Sequence, residues 1–183
     1  MFRTLPVMLF FILPLVAWAD LESGPKVGDK VSELKVFGVV GSIENKEVDF
    51  AKERKDELTV YLFIQRENFS RPMARFMKTL DVAVKEIDEK IHVIAIFLGD
   101  KDKVDDIKEY LPKAQMSLSF VNTSLAVFPG EKSGPNGWGL NTDAHVTVTV
   151  THKGKVIANH PFTTINETDV KKITEVLKKV VKK

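Results

Sequence analysis

Ser70 has the plainest route to chemistry in this sequence, a hydroxyl at the head of a helical pattern that would need a base such as His145 to act as a nucleophile. No G-x-S-x-G elbow or oxyanion loop accompanies it. Serine is also among the commonest helix caps, so a structural role contributing about 1 kcal/mol stands beside the catalytic one. Arg66, Glu67, Arg71 and Arg75 surround it, a set that would receive an anion at a helix N-terminus or simply pair on the surface. The four histidines, His92, His145, His152 and His160, show no H-x-x-x-H spacing, and the chain has no cysteine. No metal site and no cofactor is therefore expected. Asp100, Asp102, Asp105 and Asp106 lack the glycine and closing glutamate of an EF-hand loop and read as a charged helix start. Trp138, between Gly137 and Gly139, can either stack on a partner or fold back onto the domain.

These side chains need elements to position them. Residues 58–64 are a near-continuous apolar run, the pattern of a central parallel strand buried on both faces. Over residues 71–90, Met73, Phe76, Met77, Leu80, Val84 and Ile87 recur at three- and four-residue steps, so one helix face is buried. Ser70 falls at the N-cap of that helix and Pro72 in its first turn. Residues 91–98 give a second buried strand, ended by Gly99-Asp100, and Val104, Ile107 and Leu111 stripe a shorter helix that Pro112 stops. Upstream, residues 33–40 and 43–50 predict an N-terminal β-hairpin around Gly41-Ser42, linked to the core by the charged stretch 51–57. Downstream come a short strand at 118–121, an irregular loop at 129–143, and a hairpin at 146–150 and 155–160 around Lys153-Gly154. A loop of that length is commonly a binding element. Asn166 or Thr168 caps a last helix with Val170, Ile173, Leu177 and Val180 on one face. The order predicts an α/β fold, a mixed central sheet flanked by helices on both faces with an N-terminal hairpin.

Residues 1–19 carry Arg3, an apolar run over 5–16 broken by Pro6 and Pro14, and Ala17-Trp18-Ala19. These are the parts of an export signal in order, with cleavage expected before Asp20 and delivery to a periplasm or the exterior. The run is shorter than the roughly 20 apolar residues of a spanning helix, which argues against a retained anchor. Residues 20–183 then make one domain, within the range of about 100–200 residues common for single domains. The net charge of +2 becomes +1 without Arg3, so nothing calls for nucleic acid. Lys171, Lys172, Lys178, Lys179, Lys182 and Lys183 form a local basic excess, read as a solvated helix face or a weak contact with a membrane surface. Sequons at Asn68, Asn122 and Asn166 matter only in a glycosylating host.

The stretch Phe69-Ser70-Arg71-Pro72-Met73, between a central strand and a helix, resembles the W-C-x-P-C motif of the thioredoxin-like superfamily. Over nearly all of residues 20–183 the element order resembles its exported TlpA-like and peroxiredoxin-like branches, which carry an N-terminal hairpin. The resemblance places Ser70 at the reactive cysteine, Met73 at the resolving cysteine and Pro72 at the proline between them. It puts the family's cis-proline at or near His145, on the same surface as Ser70, and Glu67 at the threonine of a peroxiredoxin T-x-x-C. Serine and methionine cannot form or resolve a disulfide, so neither thiol exchange nor peroxidase activity is expected. The resemblance thus implies an exported, redox-inactive domain, either an accessory module of a larger assembly or one that binds a protein or peptide through Phe69, Ser70, Arg71, Pro72, Met73, Trp138, His145 and the 129–143 loop. The alternative is a non-thiol, hydrolase-like enzyme using Ser70 with His145.

Overall fold

A computed structural model describes residues 21–182 of the protein, so the expected export signal lies outside the described residues. Its centre is β3 (Thr59–Gln65), every residue of which is buried, paired in parallel with β4 (His92–Leu98). The helix α2 (Arg71–Ile87) joins them, and α3 (Val104–Leu118) joins β4 to β5 (Thr123–Val127), parallel again. On one side the sheet is extended by the hairpin β1 (Lys35–Val40) and β2 (Lys46–Asp49), on the other by β6 (Val146–His152) and β7 (Lys155–Phe162). The strand order is β2-β1-β5-β4-β3-β6-β7. A last helix, α4 (Val170–Val181), follows β7.

Both crossovers, β3 to β4 and β4 to β5, step in the same direction, so right-handed connections put α2 and α3 on one face. Helix α4 packs beside α2 on that face, where Val60, Leu62 and Ile64 meet Phe76, Leu111 and Leu177. The opposite face carries Tyr61, Phe63, Ile94 and Ile96, covered by Leu34, Trp138 and Phe50 of the one-turn helix α1 (Phe50–Glu53). Helices therefore lie on both faces, very unequally. The valine-threonine alternation of β6 follows the same division. Its valines enter the helix-side core, while Thr147, Thr149 and Thr151 are buried on the other face. There Ser23 Oγ lies 2.7 Å from Thr147 Oγ1, Thr149 donates to Asn159 Oδ1, and Asn159 Nδ2 donates to the Ser23 carbonyl. Residues 21–30 are thus a polar strap across the sheet, ahead of Val31 and Leu34, which join the apolar cluster.

Four expected boundaries move. Pro112 does not stop α3, which runs to Leu118. The exposed proline removes one N–H donor, whereas Ala114 and Leu118 continue the apolar stripe beyond it, and packing outweighs the local loss. The strand expected at 118–121 begins at Thr123 instead, because residues 119–122 form a turn held by Asp81 of α2. Buried Asp81 accepts from Val121 N at 2.9 Å, Asn122 N at 2.8 Å and Thr123 Oγ1 at 2.7 Å. The second hairpin strand, expected at 43–50, covers only Lys46–Asp49. Ile43 is buried in the turn, and a Cβ at Gly38 would run into the Ile43 carbonyl. The charged link at 51–57 is entered through α1, which Asp49 caps by accepting from Lys52 N at 3.2 Å. At the far end Asn166 caps the 3-10 turn Glu167–Asp169 that leads into α4, accepting from Thr168 N while Asp169 accepts from Asn166 N.

Candidate functional site at the C-terminal ends of the central strands

Beyond Gln65, β3 turns through one 3-10 turn, Arg66–Asn68, before α2 begins. Phe69 closes the turn by packing on Phe97 and Tyr110, with ring centroids 5.3 and 6.1 Å away, while the Arg66 guanidinium lies 4.1 Å over the Tyr110 ring. Ser70 occupies the N-cap position with extended backbone, but its hydroxyl makes no capping bond. Ser70, Arg71 and Pro72 are exposed, whereas Met73 is 2% exposed and belongs to the core. Arg75 pairs with Glu167 at 3.6 Å. Of the five motif residues, then, three form surface, Phe69 anchors the turn and Met73 anchors the helix.

His145 immediately precedes β6 and is joined to the end of β3, its carbonyl accepting from Gln65 N at 3.0 Å. The fold thus brings His145 to the same end of the sheet as Ser70, although no hydrogen bond links the two side chains among the described residues. No cis peptide occurs among those residues either. Trp138 takes the second of its two readings and folds back. It is 1% exposed, packed 5.2 Å from the Tyr61 ring and 4.7 Å from Phe63, and its Nε1 donates to the Glu33 carbonyl at 3.1 Å. A ring so placed cannot touch a partner, so Trp138 and Met73 leave the set of contact residues.

The 129–143 loop is fixed by the same contacts. Gln65 Nε2 donates to the Lys132 carbonyl, Ser32 Oγ to the Gly137 carbonyl, and Gly24 N to the Gly139 carbonyl, at 3.0, 3.0 and 2.9 Å. Beside it, a cleft of about 340 Å³ opens at the C-terminal ends of β3 and β4. Leu98 and Ile107 give it an apolar floor, and Arg66, Glu67, Lys103 and Lys132 stand on its rim with Asp100 and Asp106. Lys132 lies 3.8 Å from Asp100 and Lys103 3.8 Å from Asp106. Such a cleft can take an apolar side chain flanked by charges of either sign. The sequence reading missed it because its walls come from four separate segments. The one usable signal was Gly99-Asp100, which frees the end of β4 just before α3.

Titratable groups with displaced pKa values lie away from this cleft. Burial lowers His92 at the start of β4 to about 4, helped by nearby Arg54 and opposed by Asp81. Its ring packs 5.6 Å from Phe50, and its Nε2 is hydrogen-bonded with Ser124 Oγ at 2.9 Å. Burial pushes the Tyr61 phenol up and His160 down. Among the described residues no group of three or more histidine, aspartate or glutamate side chains is placed to hold a metal ion.

The sheet order, the strand-to-helix turn at Ser70 and the N-terminal hairpin define a thioredoxin-like fold of the redoxin type, here in a chain without cysteine. Solved structures share it across most of their length. A thiol:disulfide interchange protein DsbE from Chlorobium tepidum matches with a TM-score of 0.57 at 15% identity, over 85% of this chain and 98% of its own. Peroxidoxin BcpB from Mycobacterium tuberculosis matches with 0.60 at 13%, over 85% and 97%. The exposed lipoprotein thioredoxin Etrx1 from Streptococcus pneumoniae matches with 0.52 at 17%, over 79% and 98%. At these identities the likeness is one of fold. No protein-family model and no curated protein sequence matches the chain. Among the described residues no helix is long and apolar enough to cross a membrane.

Proposed function

We propose that the protein is an exported, redox-inactive thioredoxin-like module that binds a protein or peptide at the C-terminal end of its central strands. The observation that carries this reading is the exposed, thiol-free Ser70-Arg71-Pro72 surface at the end of the sheet where the cleft between β4 and α3 opens. Crevices outside the carboxyl ends of parallel strands are where open α/β sheets receive ligands. Leu98 and Ile107 offer a seat for one apolar side chain, and the mixed-charge rim offers orientation rather than bulk affinity. Arg71, exposed and in no ion pair among the described residues, faces solvent next to His145's end of the sheet. Export is supported by the pattern of residues 1–19 and by a neighbour described as an exposed lipoprotein.

The test is photo-crosslinking from a probe at Arg71 in the exported protein. One recurrent protein or peptide is expected, and Lys103→Glu on the cleft rim should diminish its capture. A blank result with folded, exported protein, or capture indifferent to Lys103→Glu, would remove this reading.

A further inference from the structure

At the opposite end of the sheet, roughly 20 Å away along the seven residues of β3, the fold concentrates charge that the small net value hides. A cleft of about 450 Å³ opens where residues 30–33, the end of β2, α1 and the Lys153-Gly154 turn meet. Lys30, Lys52, Lys55, Lys153 and Lys155 line it, and all five are exposed. None of them is in an ion pair among the described residues. The acids in the lining are Glu33 and Asp49, and both are engaged. Glu33 pairs with Lys35 at 2.8 Å, and Asp49 Oδ1 accepts from the backbone N–H groups of Leu34 and Lys52.

The backbone enforces this crowding. Lys30 and Lys155 are partners across an antiparallel bridge, an arrangement in which like charges oppose each other directly and destabilise. Val31 N donates to the Gly154 carbonyl at 3.1 Å, and Gly154 N to the Lys55 carbonyl at 2.6 Å, so three chain segments bearing lysine are tied together. A bound anion would relieve the repulsion. We propose that this cleft binds a multivalent phosphate anion, a small compound carrying two or three phosphate groups. Lysine suits that ligand because its compact ammonium on a long stem acts as a mobile point charge. Five of them exceed what one phosphate can engage.

The full exported protein, titrated with tripolyphosphate by calorimetry, should bind with an affinity that falls as salt rises. The pair Lys30→Gln/Lys155→Gln should weaken binding at least about tenfold, a change of about 1.4 kcal/mol, and should melt higher than the parent without the anion. A second pair, Lys52→Gln/Lys153→Gln, should weaken binding likewise. The equal charge change Lys178→Gln/Lys179→Gln on α4 should leave it intact. No heat at low salt, or the same loss from the α4 pair, would overturn the proposal. Sedimentation with vesicles containing phosphatidylinositol bisphosphate separates the sources. Co-sedimentation abolished by Lys30→Gln/Lys155→Gln assigns the phosphates to a lipid headgroup, and protein left in solution despite tripolyphosphate binding assigns them to a soluble compound.

Discussion

Three side chains show how role and residue type separate in this protein. Ser70 occupies a cap position without making a cap bond, so Ser70→Ala is expected to change stability by no more than about 0.5 kcal/mol in thermal melts. Asp81 lies inside α2, yet it satisfies three donors at the entry to β5, two in the preceding turn and one on Thr123. Asp81→Ala takes the acceptor from two part-buried backbone N–H groups and from the buried Thr123 hydroxyl, and should cost about 1–3 kcal/mol in urea unfolding. His92 sets an acid limit. Its folded pKa of about 4 is below the ordinary 6.5, so the unfolded chain takes up the proton first. The stability from the neutral ring is complete above about pH 6.5 and declines as pH falls towards 4. His92→Gln should flatten the melting temperature across that window, while a slope as steep as the parent's would assign the acid limit elsewhere.

Among the elements, those with a strong period were legible and those fixed by distant contacts were not. The runs at 58–64 and 91–98 and the stripe from Met73 to Val84 became β3, β4 and α2 because burial alone specifies them. The strand expected at 118–121 was misplaced because α3 outlasts Pro112 and Asp81 places the next strand, two effects with no local signature. Pro112→Ala should restore the missing N–H donor in an exposed helix position and raise stability, by up to about 3 kcal/mol before the unfolded chain's gain in freedom is subtracted. The glycine-rich loop was correctly read as irregular, but its fixed course comes from Trp138 and from hydrogen bonds to three other chain segments, at Gly24, Ser32-Glu33 and Gln65. Trp138→Ala should cost about 3–5 kcal/mol, measured by circular dichroism. Because the other tryptophan of the chain is Trp18, fluorescence of the protein without residues 1–19 reports on Trp138 alone.

At the scale of the whole molecule, the order of elements and the mixed sheet were readable. The cleft between β4 and α3 and the five-lysine cleft were not, since each gathers residues from segments far apart in the chain. A count of charge along the sequence pointed to α4, where Lys171 and Lys172 already have acidic neighbours within 4 Å, at 3.9 and 2.9 Å. Topology, not composition, made the denser basic site.

The polar strap over the threonine face divides the molecule in time as well as in space. It is held by hydrogen bonds from Ser23, Gly24, Gly28 and Asn159 rather than by a packed helix, so it can lift while the helix-side core stays closed. In deuterated solvent the amides of Gly24 and Gly28 should exchange by local opening, well before those of β3 and β4, which wait for global unfolding. One domain would then keep two clocks.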